Sequence, residues 1–316
     1  MICFDKLKII TQTKHIKRFD ESIFTPVYKI KKFIGYKYQQ KKPPELLILI
    51  NYERDEVVIE FTSKISEYSF YNLINEDTIS ECLSSIAPFV AFEGYDEELL
   101  EKFEVLKCDV TKDVTCSDVK KLERYVKSNL ANYDKWKCEK HPTGFVLKNV
   151  VGTPRYKKRI VIYDKCKELK LDKNREFLDN VDDYGEGDSY VFNDRFRDII
   201  RFEMNINTKV QIREMLGIPD NRLMNVLNSD ANPILTVLNE ALKQQVESSC
   251  FNSSWKEYQN ELVLKDCDYD LGKVEAKIKT LSKTTRIPAM MVRYRDLLQR
   301  LQSNKEPAFD LRKLVV

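Results

Sequence analysis

Residues 199–206, IIRFEMNI, alternate without a break. Ile200, Phe202, Met204 and Ile206 point one way from an extended chain, and Arg201, Glu203 and Asn205 point the other. The two-residue period constrains this chain more than any other feature, because it recurs. FDKLKII (4–10), VYKIKKFI (27–34), LLILINY (46–52), EVVIEFTS (56–63), EVLKCDVT (104–111), GFVLKN (144–149) and RIVIYD (159–164) are also β-branched or aromatic, with alternation or as short apolar runs. Helical patterns interrupt them at 78–86, where Pro88 follows, and at 117–130, with Ser117 as N-cap and Val119, Leu122 and Val126 on one face. The order predicts an α+β fold, an antiparallel sheet with helices packed on one face.

After Ile206 the period changes. TKVQIREMLGIP, DNRLMNVLN, PILTVLNEALKQQVESS, KVEAKIKTLSK and AMMVRYRDLLQRLQS all have helical spacing, and Gly217-Ile218-Pro219 stops the first of them. The expected organisation is a catalytic-type α+β domain over 1–217 and a helical C-terminal domain over 218–316. With 316 residues, 42% apolar and 33% charged, the chain can bury a sizeable core. No run approaches the ~18 apolar residues of a membrane span, and MICFDKLKII lacks a secretory layout, so no membrane and a cytoplasmic location are expected. The eight cysteines form no C-x-x-C pair and only His15 and His141 could join them, which argues against a structural zinc site.

Three strands place a carboxylate on the face away from the core: Glu60, Asp109 and Glu203. In EVLKCDVT, Leu106, Cys108 and Val110 form the inner face. If the strands are neighbours, the acids converge, and like charges held close need a cation. Oxygen ligands without a histidine cluster favour Mg²⁺ or Mn²⁺. The competing reading leaves each acid opposite a lysine on an ordinary exposed strand. RIVIYDKCKEL (159–169) poses a similar choice: Tyr163 either closes a packed strand or is a nucleophile with cations placed to receive a phosphate. It lies in a basic block, because Asp118–Arg175 holds 17 Lys/Arg and 7 Asp/Glu, interleaved with Tyr125, Tyr133, Trp136, Phe145 and Tyr156. Such a block suits a nucleic-acid backbone or is a solvated lysine face.

VVIEFTSK (57–64), KCDVTKDV (107–114), RIVIYDKCKEL and IIRFEMNI followed by LGIP resemble, in order, the motif strands of the gene II/X-type replication initiators of filamentous phages and of related plasmid initiators and transfer relaxases. The resemblance covers about residues 1–220. It implies a rolling-circle nuclease-like fold and a metal-dependent nicking–joining endonuclease that starts rolling-circle replication. Tyr163 would attack the DNA, Asp109 and Glu203 would serve the Mg²⁺ or Mn²⁺ site, and Glu60 extends that set from strand geometry. Two features depart from the pattern. No His-x-His pair is present, and Cys108 stands where the family has an arginine before Asp109.

A phenol has an unperturbed pKa of about 10 and needs a cation to work near neutrality. In the implied reaction Tyr163 bonds to the 5′ side and frees a 3′-OH. Lys165, two residues on and so on the same strand face, neutralises the developing charge. Lys157, Lys158, Arg159, Lys167 and Arg201 are the candidate DNA contacts, the first three being equally readable as solvated loop cations. RYRDLLQRL (293–301) is a second DNA-contacting helix or an amphipathic packing helix, and Tyr156 is a fallback nucleophile. The expected partners are single-stranded or supercoiled origin DNA, with a host helicase and polymerase. The alternative is a non-catalytic origin or single-stranded DNA-binding protein.

Overall fold

The computed structural model describes residues 2–94, 97–151, 153, 157–182, 194–243, 254–281, 286–303 and 310–316. Tyr156 lies outside them. Contacts divide the chain into one unit of residues 1–243 with 311–316 and another of 244–310.

Ten strands form the sheet of the first unit: β1 (Cys3–Thr11), β3 (Thr25–Lys29), β4 (Lys32–Gln40), β5 (Leu46–Asn51), β6 (Glu56–Thr62), β8 (Glu104–Thr115), β9 (Trp136–His141), β10 (Gly144–Asn149), β11 (Arg159–Asp164) and β12 (Ile199–Ile206). Their order is β3-β4-β5-β6-β1-β8-β12-β11-β10-β9, and every adjacent pair is antiparallel. β2 (Ile16–Phe19) and β7 (Val90–Phe92) pair separately. The alternation read from the sequence holds in the centre. Leu7, Ile9, Val57, Ile59, Phe61, Ile160, Ile162, Phe202, Met204 and Ile206 are wholly buried.

β8 departs from simple alternation. A bulge against β1 shifts the register between Lys8 and Ile9, so Val105, and not Leu106, takes the buried position below Cys108. A second irregularity between Phe4 and Lys6 breaks the alternation of β1 around Asp5. VYKIKKFI is not one strand but the β3–β4 hairpin, turning at Ile30–Lys31.

Helix α1 (Ile79–Ile86) packs on a 3₁₀ segment, Ser63–Asn72, and α2 (Val119–Asn129) packs on β9, β10 and β11. Asp118, rather than Ser117, caps α2, accepting from the Lys121 amide at 3.0 Å. Burial of Leu122 and Val126 stabilises this contact by about 1.5–3 kcal/mol each. Two short helices follow β11, α3 (Lys165–Leu169) and α4 (Arg175–Asp182). Leu169, Phe177 and Val181 close a separate small core with Phe70 and Phe196.

The helices α5 (Lys209–Leu216), α6 (Leu223–Leu227) and α7 (Pro233–Ala241) belong with the sheet. α5 and α6 contact β8, and α7 contacts β12. The Val105 amide donates to the Asn221 carbonyl at 2.7 Å. Gly217 ends α5 in the left-handed conformation, φ +64°, yet the contacts divide later than the expected boundary there. The stop signal is local, whereas the apolar faces of α6 and α7 are buried against strands. In the second unit, α8 (Trp255–Asp266), α9 (Leu271–Leu281) and α10 (Ile287–Ser303) pack around Leu264, Val274, Ile278, Met291, Tyr294 and Leu297. Tyr294 is thus a core residue of α10. Among the described residues no helix is long and apolar enough to cross a membrane.

Candidate active site

β8, β12 and β11 are adjacent, and their polar faces converge. Glu203 stands opposite Thr111 on one side and Val161 on the other, Asn205 stands opposite Asp109, and Tyr163 stands opposite Arg201. Tyr163 is buried. Its Oη donates to Glu203 Oε2 at 3.1 Å. Burial, and next the Glu203 charge, push the phenol well above its usual pKa. On the β10 side Tyr163 faces Gly144, where a Cβ would lie 2.0 Å from the Ile162 carbonyl oxygen and 2.7 Å from Tyr163 Cα. Only glycine lets the two strands approach this closely.

The strand ends one residue after Tyr163. Asp164 caps α3 by accepting from the Lys167 amide at 3.0 Å. Lys165 is therefore a helical residue and not the next outward position of the strand. Even so, it turns back toward the tyrosine, its Nζ 5.8 Å from the ring centroid. It is buried and pairs with Glu168 Oε2 at 2.9 Å, while Lys173 takes Glu168 Oε1 at 2.9 Å. Asn174 donates to the Glu168 carbonyl, and its own Oδ1 accepts from Lys64 at 2.7 Å. Burial alone would raise the Glu168 carboxyl, but Lys165 and Lys64 overcome it and hold it far below the usual range. Lys64 is pulled down to about 8 by burial and by the neighbouring Lys165.

Lys64, Lys165, Glu168 and Lys173 line a pocket of about 300 Å³ with Asp5, Asp109, His141, Arg159, Tyr163 and Glu203. An adjoining groove of about 470 Å³ is lined by Lys8, Glu60, Lys107, Lys157 and Asn205. Lys6, Asp109 and Arg159 line both, so the pocket and the groove lie side by side over the sheet.

The three expected carboxylates line these two adjoining pockets, Glu60 the groove, Glu203 the pocket and Asp109 both, but differ in state. Glu60 bridges Lys6 at 2.8 Å and Lys8 at 2.9 Å, one lysine on each oxygen. These bonds outweigh burial and lower its carboxyl. Its oxygens are already engaged, so the metal role expected for Glu60 is not supported by this geometry. Asp109 and Glu203 have no ion pair within 4 Å among the described residues. Burial raises Asp109 to about 6. Burial, with Asp5 and Asp109 nearby, raises Glu203 to about 7. A cation would relieve both. The described residues contain no group of three or more His, Cys, Asp or Glu arranged around one point. An oxygen-liganded Mg²⁺ or Mn²⁺ on Asp109 and Glu203 would thus take its other ligands from water and phosphate, as Mg²⁺ commonly does.

Arg201 corrects another expectation. It is not a surface DNA contact but is wholly buried. Its Nε and Nη2 hold Asp113 at 2.7 and 2.8 Å, and its Nη1 holds Asp5 at 2.8 Å. Position parity puts Arg201 on the polar face, but parity does not say whether that face is wet. Of the other candidate contacts, Arg159 lines both pockets and donates to Asn205 Oδ1 at 2.7 Å. Lys157 lines the larger groove. Lys158 is held by Glu240 of α7 at 2.5 Å. Lys167 is exposed, pairs with Asp164 at 2.6 Å and lines neither pocket.

Asp5, Lys64, Glu168 and Lys173 were missed as site residues. Asp5 carried a signal: two polar residues, Asp5 and Lys6, between inward Phe4 and Leu7 mark the bulge in β1. Lys64 and Lys173 follow the ends of regular elements, where no period reports direction. No protein-family model matches the chain, and no curated protein matches it either.

Proposed function

We propose that this chain is a metal-dependent, tyrosine-linked DNA nicking–joining endonuclease of the rolling-circle type, built on a rolling-circle nuclease-like sheet. The observation that carries the proposal is the 3.1 Å contact of Tyr163 Oη with Glu203 Oε2, in a cation-lined pocket that also holds Asp109. Glu203, whose Oε2 already receives the Tyr163 hydrogen bond, accepts the phenol proton. The tyrosine oxygen forms a bond to phosphorus as the P–O3′ bond breaks, and the 3′ oxygen takes a proton from solvent. Arg159, Lys6 and Lys173 line the pocket where phosphate oxygens would lie. Asp109 and Glu203 are the residues that would hold a divalent ion, which would supply Lewis-acid charge to the phenolate and the scissile phosphate. The phosphotyrosine ester keeps the bond energy, so the strand can be rejoined. Origin DNA, a host helicase and a polymerase are the partners this function requires.

The test is covalent capture with Mn²⁺ or Mg²⁺ and single-stranded DNA from the chain's own element. A detergent-resistant adduct mapping to Tyr163, lost in Tyr163→Phe, Asp109→Ala and Glu203→Ala, is expected. A second function, origin binding without cleavage, is favoured by one observation: burial holds the phenol strongly protonated. Tight origin binding with no adduct would establish that function and sink the first.

A further inference from the structure

The β3–β4 hairpin, at the sheet edge remote from β11, breaks several local rules at once. Its two-residue turn is Ile30–Lys31, both left-handed with φ +51° and +65°. That turn ordinarily takes Asn-Gly, and a β-branched residue is the poorest choice for it. Ile30 is also 94% exposed. Lys29 stands directly opposite Lys32, a like-charge pair that weakens a hairpin. Tyr28 stands opposite Phe33, 62% and 40% exposed, with ring centroids 5.8 Å apart. Tyr52, 47% exposed, continues this aromatic surface 6.2 Å from Phe33.

The hairpin's own charges have one sign. Residues 25–44 carry six lysines and no acid. Glu53 approaches Lys29 at 3.6 Å and Lys32 at 3.9 Å, while Lys31 and Lys37 have no ion pair within 4 Å among the described residues. Lysines on an edge strand commonly guard it against strand addition. Exposed aromatic rings and an apolar tip do the opposite of guarding. Ile30 and the Lys29–Lys32 pair break local rules with no packing of their own to offset them, as functional or strained surfaces do.

We propose that this hairpin is a second, non-catalytic contact for single-stranded DNA. Tyr28, Phe33 and Tyr52 offer rings to unpaired bases, and Lys29, Lys31, Lys32 and Lys37 meet the phosphates. Stacking with interleaved cations is sequence-tolerant and requires unpaired bases. The proposal rests on the view that the chain acts on DNA, but not on Tyr163 being a nucleophile.

The experiment is fluorescence anisotropy of the full chain with labelled oligothymidylate of about twenty nucleotides, long enough for one such site. Tyr28→Leu with Phe33→Leu keeps apolar bulk and strand pairing but removes the rings. Its Kd is expected to rise roughly ten-fold or more, while affinity for a duplex of equal length changes little. Lys31→Gln with Lys37→Gln is expected to flatten the salt dependence by about 1.4 in log–log slope. Unchanged oligothymidylate affinity in a leucine variant with wild-type circular dichroism overturns the proposal. So does a wild-type chain that binds no oligothymidylate, in which case the patch is left as a protein-docking surface. Adduct formation at Tyr163 is scored on the same proteins. An adduct with ring-independent binding sinks this proposal alone, and ring-dependent binding without an adduct sinks the nickase alone.

Discussion

Two neighbouring parts of one sheet face handle their carboxylates in opposite ways. Across β6 and β1, Glu60 sits between Lys6 and Lys8, and the charges match within the protein. Across β8, β12 and β11, Asp109 and Glu203 have no matching lysine, and burial raises both. The first arrangement is complete as it stands, whereas in the second neither Asp109 nor Glu203 has an ion-pair partner within 4 Å among the described residues. Arg201 sharpens the contrast. It lies beside the second cluster but is fully engaged by Asp113 and Asp5, so its charge holds the scaffold instead of serving Glu203. Carboxylates raised in this way cluster at functional sites.

The largest test of this contrast is Arg201→Met. Removal strands Asp5 and Asp113 without their cation, and breaking a buried pair in this way costs about 3–5 kcal/mol. Denaturant unfolding is expected to show that loss. A change under about 1 kcal/mol would mean that the buried arginine is not the anchor of β12.

Next comes the pH dependence of the metal-free protein. Glu203 has a folded-state pKa raised to about 7, above its unfolded value. Its contribution to stability is fully present below the unfolded pKa, near 4.3, and is lost as pH rises to about 7. Glu203→Gln should remove this fall, a difference on the order of 2–4 kcal/mol at pH 8 in urea titrations. Glu60 has the opposite sign: its carboxyl is lowered, so its contribution is present above the unfolded pKa and lost on acidification. Mn²⁺ should raise Tm more at pH 8 than at pH 6, since it competes with protons on Asp109 and Glu203.

Gly144→Ala should cost roughly 1–3 kcal/mol, because the new Cβ must displace β11 at the Ile162 carbonyl. Its Tm, and the Tyr163 adduct yield if the nickase proposal holds, should fall together. The smallest effect belongs to Glu60→Gln, about 0–1 kcal/mol for a half-exposed ion pair. The Mn²⁺-induced Tm rise should survive it. Loss of that rise would restore Glu60 to the ligand set and erase the distinction between the two parts of the face.

Much of this was legible in the residues. The alternation of IIRFEMNI named the outward Glu203 and Arg201, and RIVIYD placed Tyr163 at a strand end. The short strands β2, β7 and β9 were not legible, since three to six residues of mixed polarity carry little periodic signal. The hairpin turn was hidden for a related reason, because Ile30–Lys31 is not turn chemistry and the pattern runs straight through it. Lys165 was placed on the strand face of Tyr163, although Asp164 ahead of Lys165–Leu169 is an N-cap signal.

The sequence by itself determined which residues face together along each strand, because side-chain parity is a property of an extended backbone. It therefore determined that Glu60, Asp109, Glu203 and Arg201 share a polar face once the strands pair. Only the tertiary structure decided what each of them meets. Strand order set Lys6 and Lys8 around Glu60, bulges brought Asp5 to Arg201, and the turn into α3 swung Lys165 back over Tyr163. Those contacts join residues far apart in the chain. Burial and neighbouring charge, not residue type, then settle which carboxylate is paired and lowered and which is unpaired and raised.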